Sequence, residues 1–331
     1  MTTVEHATAA TDVSVARLPA RVAKWSLDHA IFSMLLVFVV VFAIVSPAFG
    51  SLSNGRVILL AASASALLAM GEAFVILTGG IDLSVGSVVG LSGVAAALAA
   101  HNSGSAAVAT VVAVAVGLAA GLFNGLVVAF ARVPPFIVTL GSMTIALGVG
   151  QVLSHGSPVS GLPERFIAIA NNSYGGIPVP VMIMVVAFLV LWLLLARTGF
   201  GMHVYAVGGN PLAARIAGIN ERRILLAVYT LAGVLAGLAG LILASRVTAG
   251  IATTGTGYEL DAIAAVVIGG ISLMGGRGSI AGALIGVLII ATLNNGLDIL
   301  NVSPFYQDIV KGILIIAAVF VDVRVAHRTE R

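Results

Sequence analysis

The chain has 331 residues, of which 60% are hydrophobic and 9% are charged, and its formal net charge is +3. An ordinary soluble domain carries about 25% charged residues, so this composition excludes a soluble protein. Cysteine is absent, which excludes disulfides and thiolate catalysis, and the basic residues are too dispersed to form a nucleic-acid-binding surface.

The apolar segments predict an all-α membrane protein, a polytopic bundle of about ten transmembrane helices. Each spanning helix needs about 20 apolar residues to cross a bilayer core of about 30 Å. The segments are continuous rather than alternating, which argues against a β-barrel. In chain order the predicted spans are 31–48, 56–78, 84–100, 106–130, 136–153, 179–196, 224–244, 259–274, 279–297 and 306–322. This pattern divides the chain into a cytoplasmic tail (1–30), a transmembrane domain (31–323) and a second cytoplasmic tail (324–331).

The basic residues predict that both termini are cytoplasmic, because the cytoplasmic connections of membrane proteins are enriched in Lys and Arg. Only Arg56, Arg165 and Arg246 then fall on the outer side, and Lys311 lies within the last span. The other twelve of the sixteen basic residues lie on the inner side: Arg17, Arg21, Lys24, Arg132, Arg197, Arg215, Arg222, Arg223, Arg277, Arg324, Arg328 and Arg331.

The second predicted span ends at a Gly79-Gly80 break, which Asp82 follows. A charged side chain at the centre of a membrane helix costs roughly 2.5–3.5 kcal/mol, so such residues tend to face a cavity or a partner. We interpret Asp82 either as the N-cap of a helix beginning near Leu83 or as part of a gate or solute path. Glu72 is the only acidic residue well inside a span.

Other polar residues in the spans allow the same two interpretations. Asn124, Asn294 and Asn295 are suited either to hydrogen bonds between helices or to a lining of the translocation path. Asp308 and Lys311 are spaced i, i+3 and are expected to neutralise each other locally.

Two sequence echoes hint at an internal repeat, which is common in transporters. One relates Gly79-Gly80-Ile81-Asp82-Leu83 to Gly269-Gly270-Ile271-Ser272-Leu273, and both copies end an inward-running span. The other relates Asn124-Gly125-Leu126 to Asn295-Gly296-Leu297, but these copies lie in spans of opposite direction. The repeat is therefore left open.

Two connections between spans are long enough to be contact surfaces. The outer one, between Ser154 and Pro180, is polar and rich in Gly, Pro and Asn. The inner one, between Arg197 and Arg223, contains a short predicted helix, because Asn210 suits the N-cap, Pro211 the first helical position and Gly218 the C′ position.

This short helix predicts a docking element for a partner, because a mere connector needs only a few residues. Ala213, Ala214 and Ala217 are small enough to allow close approach, and Arg215 is able to make a charge-assisted contact. We call the short helix and its flanking residues the coupling loop, because they would connect the partner to the neighbouring spans. It comprises Gly208, Gly209, Asn210, Pro211, Ala213, Ala214, Arg215 and Gly218.

Catalytic constellations are missing from the sequence. A nucleotide-binding P-loop requires a Lys after Gly, but Lys24 follows Ala and Lys311 follows Val. Neither a metalloprotease nor a serine-hydrolase motif is present, and the six histidines are dispersed. We predict no catalytic, cofactor-binding or metal-binding residues.

Several long stretches, in the right order, resemble the ribose/xylose/galactose-type permease family of ATP-binding-cassette importers from about residue 30 to 323. Met202 departs from the pattern, which has a basic residue, typically Arg, at that position. The candidate path or gate residues Asp82, Asn124, Phe136, Asn294 and Asn295 all lie in the matching stretches. These stretches are 77–86, 124–126, 135–141, 208–210, 269–278, 294–297 and 307–312.

The resemblance implies a transport subunit without its own ATPase site, in the bacterial cytoplasmic membrane. Its implied partners are a cytoplasmic ATP-binding subunit, an extracytoplasmic sugar-binding protein, a second permease copy and membrane lipid, and no cofactor or nucleic acid is implied. The solute is left open among pentoses, hexoses, polyols and signalling sugars.

Two other interpretations compete with this one. An ion-coupled secondary transporter needs a coupling-ion site, for which the Gly79-Gly80 break with Glu72 and Asp82 nearby is a candidate. A membrane-embedded enzyme lacks any visible catalytic constellation.

Overall fold

The computed structural model describes residues 30–329, so the N-terminal tail predicted over 1–30 and residues 330–331 lie almost entirely outside it. The described part is mostly helical, as the sequence predicts, with one small β-hairpin. Its elements are α1 (Ala30–Val45), α2 (Leu52–Leu77), α3 (Val85–Ser103), α4 (Ala106–Leu126), α5 (Pro135–Leu153), α6 (Glu164–Asn171), β1 (Ser173–Tyr174), β2 (Ile177–Pro178), α7 (Val179–Arg197), α8 (Gly199–Gly209), α9 (Pro211–Ile216), α10 (Glu221–Arg246), α11 (Tyr258–Ile268), α12 (Ile280–Ile299) and α13 (Pro304–Thr329).

Seven helices within residues 30–329 are long and apolar enough to cross a membrane, namely α2, α3, α4 with its π-helical continuation Val127–Ala131, α5, α7, α10 and α12. The predicted spans 31–48 and 306–322 fall on α1 and α13, which do not belong to these seven. Helix α13 continues to Thr329, so most of the C-terminal tail predicted over 324–331 is helical. The α-helical membrane architecture is confirmed.

The eighth predicted span, 259–274, is wrong in its second half. Helix α11 ends at Ile268, and Gly270 adopts a left-handed φ of 81° that no continuing helix allows. At 1.5 Å per residue, the 11 residues of α11 reach about 16 Å, roughly half the bilayer core. The following residues, 269–279, form turns, although the apolar composition continues to Met274.

The helices begin at residues whose local chemistry favours a helix start. Ser51, Ser105 and Ser279 are N-caps whose hydroxyl oxygens accept hydrogen bonds from backbone N–H groups of the first turn. Pro135 and Pro304 stand at first helical positions, where the missing N–H costs nothing.

Helix α10 lies at the centre of the bundle and packs on α2, α3 and α4. Its approach to α4 uses small residues, since a Cβ placed on Gly233 would lie 2.3 Å from the carbonyl oxygen of Gly117. A Cβ on Gly121 would likewise meet the carbonyl oxygen of Tyr229 at 2.4 Å. These glycines let the two backbones touch, as small residues do between membrane helices.

The two ends of the bundle are distinct. At one end, which we call the α9 end, lie α8, α9 and the C-termini of α2 and α11. At the other, the hairpin end, the β-hairpin and α6 lie beside the C-terminus of α10, and Ser245 Oγ accepts a 2.9 Å hydrogen bond from the Ala170 N–H.

The Gly-Gly echoes correspond to similar helix ends, but with an offset of one residue. Gly79 and Gly270 each have a φ of 81°. The following residues close equivalent turns, since the Gly80 N–H bonds to Val75 and the Ile271 N–H to Val266, each at 3.1 Å. Gly79 therefore matches Gly270, whereas alignment by letters pairs Gly79 with Gly269.

The asparagine echo does not follow the same symmetry. Asn124 lies near the C-terminus of α4 at the α9 end, whereas Asn295 lies near the C-terminus of α12 at the hairpin end. The two helices that carry Asn124 and Asn295 therefore run in opposite directions, as the sequence predicts. No single symmetry operation relates the asparagine echo and the Gly-Gly echo.

Candidate functional site

The predicted coupling loop contains the short helix that its capping residues indicate. Asn210 Oδ1 accepts a 2.9 Å hydrogen bond from the Ala213 N–H, and Pro211 is the first helical residue. Ala217 is the C-cap, and Gly218 follows with a left-handed φ of 82°. The local prediction of α9 is confirmed.

The exposed face of α9 differs from the expected one. Ala214 is only 3% exposed and packs within the chain's own core, so its side chain contacts no partner surface in this arrangement. Leu212 and Ile216 are instead 67% and 81% exposed. They are spaced i, i+4 and therefore lie on one face of the helix. Ala213 and Ala217 are exposed as well.

Charged residues surround α9. Arg215, expected to be free for a partner, forms an ion pair with Glu221 at the start of α10. A cavity of about 760 Å³ opens beside this pair, and Arg132 and Arg222 also line it. The Arg222 guanidinium lies 5.8 Å from the ring centroid of Phe130.

Glycines join α8 to the end of α2. A Cβ on Gly208 would lie 1.8 Å from the Leu77 carbonyl oxygen and 2.8 Å from the Gly276 nitrogen. The Gly276 N–H in turn donates a 2.9 Å hydrogen bond to the same Leu77 oxygen. Three chain segments thus meet through their backbones, and we call this contact of Leu77, Gly208 and Gly276 the glycine joint.

A tyrosine reinforces the glycine joint. The Tyr205 hydroxyl of α8 donates a 2.7 Å hydrogen bond to the carbonyl oxygen of Gly278. Burial raises the pKa of this phenol above its ordinary value, which keeps the hydroxyl protonated as a donor.

Asp82 and Asn124 belong to a buried polar cluster. Asp82 Oδ1 accepts hydrogen bonds from the Ser84 N–H at 2.9 Å and from the Ser84 hydroxyl at 2.6 Å. Asn124 Nδ2 donates to Ser84 Oγ at 2.8 Å and to Asp82 Oδ2 at 3.4 Å. The Ser142 hydroxyl donates to Asn124 Oδ1, so α4, α5 and the segment after α2 are tied together.

The N-cap interpretation of Asp82 is wrong. Helix α3 begins at Val85, not near Leu83, and its N-cap is Ser84. Asp82 instead closes the preceding turn by accepting from the N–H two residues ahead, as aspartates do in Asx turns.

Two buried oxygens beside this cluster lack a hydrogen-bond partner among the described residues, namely Glu72 Oε2 and the Tyr229 hydroxyl. Glu72 Oε1 accepts a 3.0 Å hydrogen bond from the Asp82 N–H. None of the three ion pairs within residues 30–329 involves Glu72 or Asp82. Hydroxyl, amide and backbone donors therefore hold these two carboxyl groups.

A second polar site lies at the hairpin end. It is a cavity of about 740 Å³ between α2, α10, α11, α12 and α13, which we call the hairpin-end cavity. Lys311 lies between Asp261 and Asp308, 3.5 Å from each carboxylate, so the predicted pair with Asp308 is shared with a second acid. Polar lining comes from Ser65, Arg246, Thr256, Tyr258, Asp261, Asn294, Asn295, Asp298, Asp308 and Lys311, and apolar lining from Val57, Ala61, Leu260, Ala265, Val287, Ile290 and Ala291.

The structure separates the five candidate path or gate residues into three places. Asp82 and Asn124 are each 1% exposed in the buried cluster. Asn294 and Asn295 line the hairpin-end cavity. Phe136, in the first turn of α5, is 55% exposed, and its side chain is not part of either site.

Three residues of these sites were not predicted from the sequence, because their importance depends on their neighbours. Ser84 and Ser142 complete the buried cluster but are common residues in membrane helices. Tyr258 lines the hairpin-end cavity together with Asp261. The spacing of Tyr258 and Asp261 at i, i+3 near the start of a predicted span was the one available signal.

Comparison with known proteins gives the family of the chain. The family described as branched-chain amino acid transport system / permease component matches residues 56–319. No solved structure matches the chain.

Curated relatives match over most of their own length. The ribose import permease protein RbsC of Bacillus subtilis is 48% identical over 88% of this chain and 91% of its own. RbsC of Escherichia coli strain K12 is 46% identical over 90% of this chain and 94% of its own. The L-arabinose transport system permease protein AraH of that strain is 40% identical over 88% of this chain and 90% of its own. These relatives give no support to the ion-coupled alternative. The chain belongs to this family of transport-system permeases, within which it is similar to the permeases of sugar importers.

Proposed function

We propose that the chain forms the translocation path of an ATP-binding-cassette importer for a monosaccharide or related solute, with ATP hydrolysis supplied by a separate subunit. Similarity to ribose and arabinose permeases carries the sugar assignment, because the family description itself names branched-chain amino acids. The absence of a P-loop lysine supports an external source of ATP hydrolysis.

The proposal includes ten crossings of the bacterial cytoplasmic membrane, with both termini in the cytoplasm. Distribution of charge supports this orientation, since the hairpin end carries Arg56, Arg165 and Arg246, and the α9 end carries the other six arginines whose side chains the structure describes: Arg132, Arg197, Arg215, Arg222, Arg223 and Arg277. Helix α11 is too short to cross alone, so the eighth crossing is completed by the turns of 269–279. Non-helical backbone is tolerated at membrane depth where protein buries it, and Ile271 and Ser272 are buried.

The exposed face of α9 is proposed as the docking site of the ATP-binding subunit. Leu212 and Ile216 present apolar side chains at the cytoplasmic end, outside the bilayer, where exposed apolar surface indicates a partner. Movement of α9 would reach the transmembrane helices through the neighbouring glycine joint.

The translocation path is proposed to begin at the hairpin-end cavity, where Asn294 and Asn295 line the wall. Asp82 and Asn124 are proposed as gate residues, because their cluster ties together elements that must separate for a path to open near the cytoplasm. Phe136 is exposed near the same end and is proposed to face the path or a second copy of the permease.

A second copy of the chain and an extracytoplasmic solute-binding protein complete the proposed complex. Exposed Phe305, Ile309 and Ile316 on α13 offer an apolar surface for lipid or for the second copy. At the outer end, Tyr174 of the β-hairpin is 65% exposed, which suits a contact with the solute-binding protein.

Reconstitution tests this proposal. Solute-stimulated ATP hydrolysis should require the permease, the ATP-binding subunit and the solute-binding protein together. Leu212→Asp and Ile216→Asp should each abolish co-purification with the ATP-binding subunit. Ile177→Asp, an equivalent change at an exposed apolar position of the hairpin, should leave that co-purification unchanged. Hydrolysis by the permease alone, or assembly of both α9 variants at parental levels, would contradict the proposal.

A further inference from the structure

We propose that the hairpin-end cavity is a binding site, within the permease itself, for a neutral polyhydroxylated solute. This inference rests on the proposed function, because it names the class of solute and the place where the permease holds it. It goes further in stating that the permease binds the solute without either partner protein.

The wall of the cavity contains both apolar and polar side chains. Val57 and Ala61 of α2 and Ile290 of α12 form apolar surface, while Tyr258 and Asp261 of α11 add polar groups. A monosaccharide also presents both kinds of surface, with C–H faces and hydroxyl edges. The volume of about 740 Å³ falls in the range of about 300–1,000 Å³ found for small-molecule sites.

An unpaired acceptor lies in this wall. Asn294 Oδ1 is buried and has no hydrogen-bond partner among residues 30–329. Buried polar atoms are nearly always paired, so this oxygen lacks the donor that it would normally have. It is closed to solvent in this conformation, so a solute hydroxyl can donate to it only after the Asn294 side chain turns toward the cavity. Its neighbour Asn295 is already satisfied by reciprocal hydrogen bonds with Asn54, at 2.8 and 3.0 Å.

The charges around the cavity oppose an anionic solute. Two basic residues, Arg246 and Lys311, face three acidic ones, Asp261, Asp298 and Asp308. Lys311 is shared between Asp261 and Asp308, so it is not free to bind an anion. A sugar phosphate would thus enter a cavity with more acidic than basic side chains, which opposes its binding.

Direct binding measurements on the full-length permease in lipid nanodiscs, without partner proteins, test the inference. Radiolabelled D-ribose, L-arabinose and D-allose serve as probes, with ribose 5-phosphate and leucine as comparators. At least one sugar should bind saturably, and each comparator should bind at least tenfold more weakly than that sugar.

Variants locate the site. Ala61→Phe should fill the cavity and abolish binding, whereas Ala115→Phe, at an exposed position of α4 outside the cavity, should bind like the parent. Asn294→Ala should bind about tenfold more weakly, as expected for one lost hydrogen bond. This variant removes atoms and cannot overfill the core, so it remains informative even if Ala61→Phe fails to fold. Asn102→Ala, exposed near the same end, is its control.

Three results would overturn the inference. Absence of saturable binding by all three sugars would do so, and so would tighter binding of ribose 5-phosphate or leucine. Unchanged binding in Asn294→Ala and in a folded Ala61→Phe would refute the location. The proposed function is tested separately, by ATP-dependent sugar uptake through the complete importer. If the complete importer takes up sugar but the isolated permease binds none, only this inference is refuted.

Discussion

Replacement of Gly208 by Ala tests the glycine joint most directly. The added Cβ would lie 1.8 Å from the Leu77 carbonyl oxygen, about 1.6 Å closer than an ordinary contact of 3.4 Å. Because the clashing atoms belong to backbone, relief requires that α8 move away from the end of α2. The same Cβ would lie 2.8 Å from the Gly276 nitrogen, so it would also strain the 2.9 Å hydrogen bond from Gly276 to Leu77.

The magnitude follows from two costs and one gain. Overpacking costs about 1–3 kcal/mol, and loss of a buried hydrogen bond costs a further ~1–3 kcal/mol. Exchange of Gly for Ala within a helix returns up to about 1 kcal/mol. We therefore expect Gly208→Ala to lower the free energy of unfolding by about 1–6 kcal/mol.

Gly209→Ala is a matched control in the same helix. A Cβ at Gly209 meets no atom of the described residues within 4 Å, so this variant should be neutral or slightly more stable than the parent. Both variants would be compared by thermal unfolding in detergent and by solute-stimulated ATP hydrolysis of the complete importer. Gly208→Ala should lower both the unfolding temperature and the stimulation. Equal behaviour of the two variants would refute the backbone contact.

Three further expectations concern other contacts. Gly233→Ala should lower the unfolding temperature by separating α10 from α4, whereas Gly141→Ala, which meets no described atom within 4 Å, should not; equal midpoints would contradict the close approach. Asp82→Ala should lower the free energy of unfolding by about 1–3 kcal/mol more than Asp82→Asn, because Asn retains an acceptor for the Ser84 donors. Uptake should also fall further in Asp82→Ala; equal loss in both variants would show that the negative charge itself is needed. Arg215→Glu should weaken co-purification with the ATP-binding subunit in a salt-sensitive way, because it replaces the ion pair with Glu221 by a repulsion beside α9, and exposed charges are screened over about 8–10 Å at physiological ionic strength; wild-type assembly at every salt concentration would show that this charge does not contribute to docking.

Local features of the fold were predictable because their causes lie within a few residues. Asn210, Pro211 and Gly218 determine where α9 begins and ends, and each acts through its own backbone chemistry. The long spans were predictable for a similar reason, since their continuous apolar composition matches the thickness of a bilayer.

The end of α11 was missed because hydropathy does not detect a left-handed glycine. Apolar residues continue past Ile268, so the predicted span continued with them. The same Gly-Gly-Ile letters had marked a break after the second span, so the sequence did contain a signal for Gly270.

The orientation of α9 was not predictable from the chain alone. Ordinary amphipathic patterning places Leu212 and Ile216 inward and Ala214 outward, whereas the structure has the reverse. The proposed docking of the ATP-binding subunit on this face would cover Leu212 and Ile216, and a partner leaves no trace in a single sequence.

The polar sites were partly predictable. Each buried polar residue of a span can be flagged by its cost, as Asp82 and Asn124 were. Their pairing depends on helices brought together from positions 42 residues apart, and Ser142 joins from a third element. Sequence spacing contains no information about such contacts.

The glycine joint consists of main-chain atoms, so no side chain at Leu77, Gly208 or Gly276 is needed to form it. Its shape is therefore independent of the residues that line the hairpin-end cavity at the opposite end of the bundle. In a family whose members import different solutes, this separation would let selectivity diverge while the mechanical connection stays the same. A permease whose cavity lining is replaced by that of a relative should thus still respond to its own ATP-binding subunit.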